Sequence, residues 1–291
     1  MRNVFIQELI KAAKKNNKIF LLVGDLGYSV IEPFVKQFRN RFYNIGVAEQ
    51  NMLGVASGIA SEGYHVFVYS IANFATFRCA EQIRNDVDYH NFPVTIVSVG
   101  GGVGYGNLGY SHQAIQDFAL MRSFPNMLIA APGDAFEMKS CVQYLIKNPQ
   151  PSYLRIPKSA LRNVNKKQPT IQPGKWNLIH NKRKSRKTIL TTGSGLHIAN
   201  DQFKKKKYKD FNFFSLPLWG MKYKKSQKKY LKNVKKIITF EDHLEDGGFG
   251  SWLKECNSEL KTQIKIKALK SKIIDFVTDE KEYIKMSKFH E

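Results

Sequence analysis

An α/β fold in two domains is predicted for this chain of 291 residues, and three observations predict it. Short apolar runs alternate with helix-like patterns through the first half, which implies parallel strands joined by crossover helices. That pattern lapses through about 157–185, where Pro, Gln, Asn and Lys take over, and a shorter strand-and-helix series follows over 186–291. The length suits two compact domains at roughly 100–200 residues each, either able to bury a core.

The elements follow in order. The opening MRNVFIQELIKAAKKNNK is amphipathic with charges inside it, unlike a signal peptide. IFLLVGDL (19–26) and FYNIGV (42–47) read as strands, and AEQNMLGVASGIASEG (48–63) as a helix whose small residues allow close packing. HVFVYS (65–70) is a strand, FATFRCAEQIRNDVDYHN (74–91) a helix and VTIVSVG (94–100) a strand. A glycine-rich loop precedes the helix QAIQDFALMRSF (113–124), the strand NMLIAAP (126–132), the helix DAFEMKSCVQYLIKN (134–148) and the strand SYLRIP (152–157). The later series has strands at TILTTG (188–193), FNFFSL (211–216) and KKIITFE (235–241), then a helix opened by GGFGSWLKECNSEL (247–260). No internal repeat is present.

Composition narrows the class. The chain is 43% hydrophobic, close to the globular norm, which excludes wholesale disorder. No apolar run approaches the roughly 20 residues of a membrane span. Cys79, Cys141 and Cys256 are far apart with no CxxC, a usage that fits reduced thiols in a cytoplasm better than a disulfide framework or a zinc site. The net charge of +22 invites a nucleic-acid reading, but its distribution answers that. Residues 1–150 carry +2, residues 151–240 carry +22 and residues 241–291 carry −2. The lysine runs of the middle stretch alternate with apolar strands, as the solvated face of a sheet would. No helix-turn-helix, aromatic RNA-binding box or metal-finger spacing accompanies them.

Residues 100–109 read GGGVGYGNLG, and Gly104–Gly109 within them is a formal G-x-G-x-x-G. Additional glycines separate it from the preceding strand, the next helix begins beyond Ser111-His112, and the first βα turn lies elsewhere. It is therefore no dinucleotide fingerprint. A closely approached loop at the carboxyl end of a parallel strand is still a ligand-binding position.

Several segments stand in a characteristic order: NIGVAEQNM (44–52) before GVASGIASEG, FATFRCAEQIRND (74–86), Ser111-His112-Gln113, FPNMLIAAPGDAFE (124–137), PSYLRIPKS (151–159) and FEDHLEDGGFGSW (240–252). Over nearly its whole length the chain resembles the C-terminal half of transketolases, and especially the small subunit of split, two-chain transketolases. The resemblance implies a parallel-sheet pyrimidine-binding domain (1–160), a linker (161–185) and a smaller α/β C-terminal domain (186–291) of a thiamine-diphosphate-dependent enzyme. It implies that Glu49 contacts N1′ of the cofactor's aminopyrimidine. A carboxyl group there promotes the imino tautomer, whose exocyclic nitrogen can deprotonate C2 of the thiazolium, and the cofactor is the electron sink for a ketose carbonyl. Standing alone, Glu49 would read as an anion in the first turn of a helix.

By the same resemblance Phe74 and Phe77 are cofactor-side aromatics, and spacing leaves open which of them stacks on the ring. Arg78 matches an arginine of split-subunit relatives, with its role open. His112 matches a histidine that reaches the donor carbonyl and the reactive edge of the cofactor. Arg155 and Ser29 match contacts to a sugar-phosphate tail. Glu241 and His243 read as structural. Full-size transketolases carry a histidine and an acidic residue where Gly100 and Leu108 stand here, so the donor or acceptor sugar is expected to differ, and an unusual or activated sugar is plausible.

The diphosphate half of the family carries a Gly-Asp-Gly segment and a later asparagine for Mg²⁺ and diphosphate. No such segment occurs in this chain, which implies a partner subunit that supplies it, in a heteromer with two copies of each chain. The competing readings are the β subunit of a 2-oxo acid dehydrogenase, a basic binding protein without enzymatic activity, and a noncatalytic partner that only stabilises a larger subunit.

Overall fold

The computed structural model describes residues 1–159, 161–182, 184–257, 261–287 and 289. Twelve strands among them form two sheets. The first contains β1 (Ile19–Val23), β2 (Phe42–Asn44), β3 (His65–Ile71), β4 (Val94–Val99), β5 (Leu128–Ala130) and β6 (Ser152–Ile156), all parallel. The second contains β7 (Asn177–His180), β8 (Lys187–Thr191), β9 (Asn212–Ser215), β11 (Lys236–Leu244) and β12 (Gln263–Leu269). Its order is β12-β11-β8-β9-β7, parallel except for the edge pair β7–β9. The short β10 (Leu218–Trp219) leaves the later half of the chain and pairs antiparallel with β5, giving the first sheet the order β10-β5-β6-β4-β3-β1-β2.

The central strands β3, β4 and β6 are buried along nearly their whole length, so they read as continuous apolar runs. Helices cover both faces of the first sheet. On one face lies a core of Phe5, Leu9, Phe34, Phe67, Met138 and Leu154. The other face packs Leu22, Met52, Leu53 and Ile96 into one cluster with Trp219, Phe249, Trp252 and Leu253 from the later half. A third cluster, with Phe213, Phe240 and Tyr283, belongs to the second sheet.

Several details differ from the sequence reading. Within the stretch read as a linker, Asn177–His180 is β7, an edge strand of the second sheet. The helix expected over 74–91 is a chain of short pieces: an α turn at Ala72–Thr76, a 3₁₀ turn at Phe77–Cys79, another α turn at Ala80–Gln82 and a π segment at Ile83–Asp88. The Thr76 hydroxyl donates to the carbonyl of Ala72 at 2.6 Å, and such back-bonding bends helices. In the helix Glu49–Ser61 the packing face is made by Met52, Leu53, Ala56 and Ala60. Gly54 and Gly58 do not contribute close packing within the chain, since a Cβ at either would meet nothing within 4 Å. The helix expected over 247–260 is described as Phe249–Cys256, and Ser258, Glu259 and Leu260 lie outside the described residues.

Candidate active site

The carboxyl ends of β1, β2 and β3 converge on Glu49. It is the first residue of the helix Glu49–Ser61, which follows β2, and it is only 1% exposed. Gly24, just past β1, makes room for it: a Cβ there would lie 3.3 Å from Glu49 Oε1. Ser70, near the end of β3, donates its hydroxyl to Oε1 at 3.0 Å, and Arg78 Nη1 donates to Oε2 at 2.5 Å. The Arg78 guanidinium in turn lies over the Phe74 ring, 4.6 Å from its centroid. Phe74 meets the His112 ring edge to face at 5.1 Å. Glu49, Arg78, Phe74 and His112, four residues named from sequence, thus form one run of contacts. Cys79 beside them is held as a neutral thiol, since burial, helped by the charge of Glu49, pushes it up to about 12.

The loop after β4 presents His112. Gly100, Gly102 and Gly109 have φ of 76°, 69° and 76°, conformations that favour glycine. The loop closes at its base through reciprocal backbone bonds between Gly102 and Ala114, 2.8 and 2.9 Å. Its tip is fastened by Asn73 Nδ2, which donates to the carbonyl of Ser111 at 2.7 Å, while Ser111 Oγ and His112 Nδ1 are 3.0 Å apart. A cavity of about 380 Å³ opens alongside, lined by Asn73, Phe77, Tyr110, Ser111, Gln113 and Gln116. Phe77 therefore borders this cavity, and Phe74 is the ring on the Glu49 side. Gly24, Ser70 and Asn73 were not singled out from the sequence. Ser70 had a signal, being the polar residue that ends an apolar strand.

Ser29 stands apart, in the loop after β1, with φ of 64° and its N–H donating to Glu32 Oε1 at 2.7 Å. Arg155 is not brought to the site's surface. It is 2% exposed, with Nε donating to Asp117 Oδ2 at 2.6 Å and Nη1 to Asp242 Oδ1 at 2.7 Å. Nη2 serves Ala114 O, Asp117 Oδ1 and Asp242 O at 3.2 to 3.3 Å. Its plane lies over Phe118, and a Cβ at Gly101 would collide with its Nε. In this structure Arg155 is an internal counter-ion joining the two halves, and its donors are taken by its own chain rather than offered to a phosphate.

Gly100 and Leu108, the positions at which the resemblance to full-size transketolases departs, lie in the loop after β4. At Gly100 a Cβ would collide with the Tyr105 ring, so a side chain cannot stand there. Leu108 ends a 3₁₀ turn and is half exposed. In the later half, Glu241 accepts from the N–H groups of Phe249 and Gly250 at 2.7 and 3.1 Å, capping the helix Phe249–Cys256. His243 is buried against Phe118, 3.8 Å from Asp117. Among the described residues, no group of three or more His, Cys, Asp or Glu side chains could hold a metal ion.

A buried glutamate, an arginine and an aromatic ring stand together at the carboxyl ends of adjacent parallel strands, the end at which open α/β sheets bind ligands. Residues 1–164 match the transketolase pyrimidine-binding domain, and the chain belongs to the transketolase family. It is 34% identical to a putative transketolase C-terminal section of Methanocaldococcus jannaschii, over 88% of this chain and 81% of that one. It is 30% identical to one of the subunits of an apulose-4-phosphate transketolase from Phocaeicola vulgatus, covering 91% of this chain and 86% of the relative. Among solved structures it superposes on a split-gene transketolase described as an inactive β4 tetramer, with a TM-score of 0.85, 27% identity, and 99% and 93% of the two chains covered. These likenesses support the transketolase reading over the 2-oxo acid dehydrogenase and basic-binder readings.

Proposed function

We propose that this chain is the pyrimidine-binding and C-terminal subunit of a two-chain, thiamine-diphosphate-dependent transketolase-like enzyme, moving a two-carbon ketol unit from a ketose to an aldose. The observation that carries the reading is the buried Glu49 carboxylate at the head of a contact run through Phe74 to His112. The residues fit the ring of the cofactor. Gly24 leaves room for the Glu49 carboxyl group itself, and Phe74 offers an apolar face. When bound, thiamine diphosphate supplies the electron sink for breaking the bond beside the ketose carbonyl.

In this reading Glu49 hydrogen-bonds the aminopyrimidine nitrogen and Ser70 holds its other oxygen. Phe74 packs on the ring, Phe77 borders the substrate cavity and Arg78 flanks the cofactor. His112, held by Ser111 and Phe74, orients or shuttles a proton at the substrate carbonyl and hydroxyl. Ser29 remains a candidate for the sugar tail. Arg155 acts by shaping the base of the glycine loop. The diphosphate and Mg²⁺ fall to a partner subunit of the N-terminal-half type, in a heterotetramer with two of each chain. A partner subunit, and a sugar or sugar-phosphate substrate, are supported by relatives named as subunits of apulose-4-phosphate and 6-deoxy-6-sulfo-D-fructose transketolases. No helix among the described residues is long and apolar enough to cross a membrane, and Cys79, Cys141 and Cys256 are free and buried, which suits a reducing cytoplasm.

The test is reconstitution with the diphosphate-binding subunit and measurement of ketol transfer. Glu49→Gln should keep the complex assembled and lower kcat by on the order of 10²–10⁴. Full transfer by this chain alone, or an unimpaired Glu49→Gln complex, would refute the reading.

A further inference from the structure

Arg78 makes two contacts at once, a hydrogen-bonded ion pair with Glu49 Oε2 and a stacking contact with the face of Phe74. A guanidinium is flat, delocalised and a hydrogen-bond donor. An aminopyrimidine ring is also flat, and under the reading above it needs the same carboxyl group and the same aromatic face. Oε1 of Glu49 is already bonded to Ser70. A guanidinium bonded to Oε2 and lying over the Phe74 face takes up the volume that a flat ring stacked on the same face and bonded to the same carboxyl group would need.

We infer that Arg78 is a placeholder for the cofactor ring: it fills the Glu49–Phe74 cleft while the cofactor is away and swings out when the ring enters. The inference rests on the reading that Glu49 and Phe74 receive that ring. Burial is asymmetric in the way a placeholder requires, with Arg78 40% exposed and Glu49 1% exposed. The carboxylate is the fixed partner and the arginine has a path to solvent. Arg78 also sits in the 3₁₀ turn Phe77–Cys79, between helical pieces, rather than on a continuous helix. A buried carboxylate without a partner is costly, so the pair stabilises the arginine-filled arrangement. Ring entry must then break that pair, and apparent affinity falls by the fraction of molecules whose cleft is open.

The test measures calorimetric binding of thiamine diphosphate with Mg²⁺ to the complex of the full chain and its diphosphate-binding subunit. Arg78→Met should bind ~10-fold tighter than wild type, with Arg78→Lys between them, because closed cleft population is what weakens binding. A second readout uses the unaltered protein, so it stands even where a variant does not fold. Modification of Arg78 by phenylglyoxal, followed by peptide mass spectrometry, should accelerate once the cofactor is bound. Weaker or unchanged binding by Arg78→Met, or protection of Arg78 by the cofactor, would overturn the inference. Glu49→Gln binding and turning over like wild type would instead sink the reading beneath it, as would no binding by any form.

Discussion

Glu241 and His243 share one strand and titrate in opposite directions, both for want of water. Burial lifts the Glu241 carboxyl to about 8 and lowers the His243 imidazole to about 4. For Glu241 the folded protein holds its proton more tightly than the unfolded chain does. Its stabilising contribution is therefore present below the ordinary carboxyl value and is lost as pH rises through about 8. Relative to wild type, Glu241→Gln should gain stability between pH 5 and 9, read as a difference in Tm across that series; a constant difference would contradict it. His243 works the other way, since the folded protein excludes its proton. Acidification from the ordinary histidine value toward about 4 should destabilise wild type relative to His243→Gln, by up to ~1.4 kcal/mol per pH unit. At this scale sequence carried much of the candidate site: Glu49, Phe74, Arg78 and His112 are all found together. It did not carry Arg155, because the residue type suits a phosphate and an internal ion pair equally, and its partners lie 38 and 87 positions away.

At the scale of elements, the loop from Gly100 to Ala114 depends on what lies under it. Arg155 reaches Ala114 O and Asp242, while Gly101 and Gly102 pass close enough to exclude any side chain. Asp117 also accepts from Tyr153 at 2.6 Å, so strand β6, the helix Asp117–Met121 and strand β11 meet in one buried network. Removing a single charged member leaves the others buried and unpaired. Arg155→Met should therefore cost ~3–5 kcal/mol of stability by urea denaturation. Arg155→Lys, which keeps the charge but loses the planar fork, should also lower Tm while leaving KM for a phosphorylated sugar nearly unchanged. A variant of normal stability and raised KM would restore Arg155 as a phosphate contact. The elements themselves were legible where apolar runs are long, as in β3, β4 and β11. The segmented helix over 72–88 was not, because periodicity does not record where Thr76 or a π segment interrupts the ladder. Strand β10 has only two residues, too few for any period, and it exists because Leu218 and Trp219 pair with Ala130 and Ile129.

For the whole molecule, that two-residue strand changes how the halves relate. The later half closes the edge of the first sheet at β5, and the carbonyl of Pro217 accepts from Ala131 N–H at 2.8 Å. Trp219, Phe249 and Trp252 pack in the same cluster as Met52, Leu53 and Ile96, so neither half buries its apolar surface alone. Arg122 adds a bidentate pair to Glu255 at 3.1 and 2.8 Å across the same boundary. Elements that share a core unfold together, whereas separately cored domains give separable transitions. The three tryptophans, Trp176, Trp219 and Trp252, all lie in the later half, while far-UV circular dichroism reports both sheets. In equilibrium urea unfolding, tryptophan fluorescence and circular dichroism should follow coincident transitions. Replacing Trp219 by Ala should shift both midpoints together by an amount equivalent to ~3–5 kcal/mol, as for other large core truncations. A fragment ending at residue 164 should expose the β5 edge and the Met52–Ile96 face, and should associate or remain partly folded in sedimentation velocity. A fluorescence transition well below the dichroism midpoint, or a monomeric and cooperatively folding fragment, would show that the halves are energetically independent despite the strand they share.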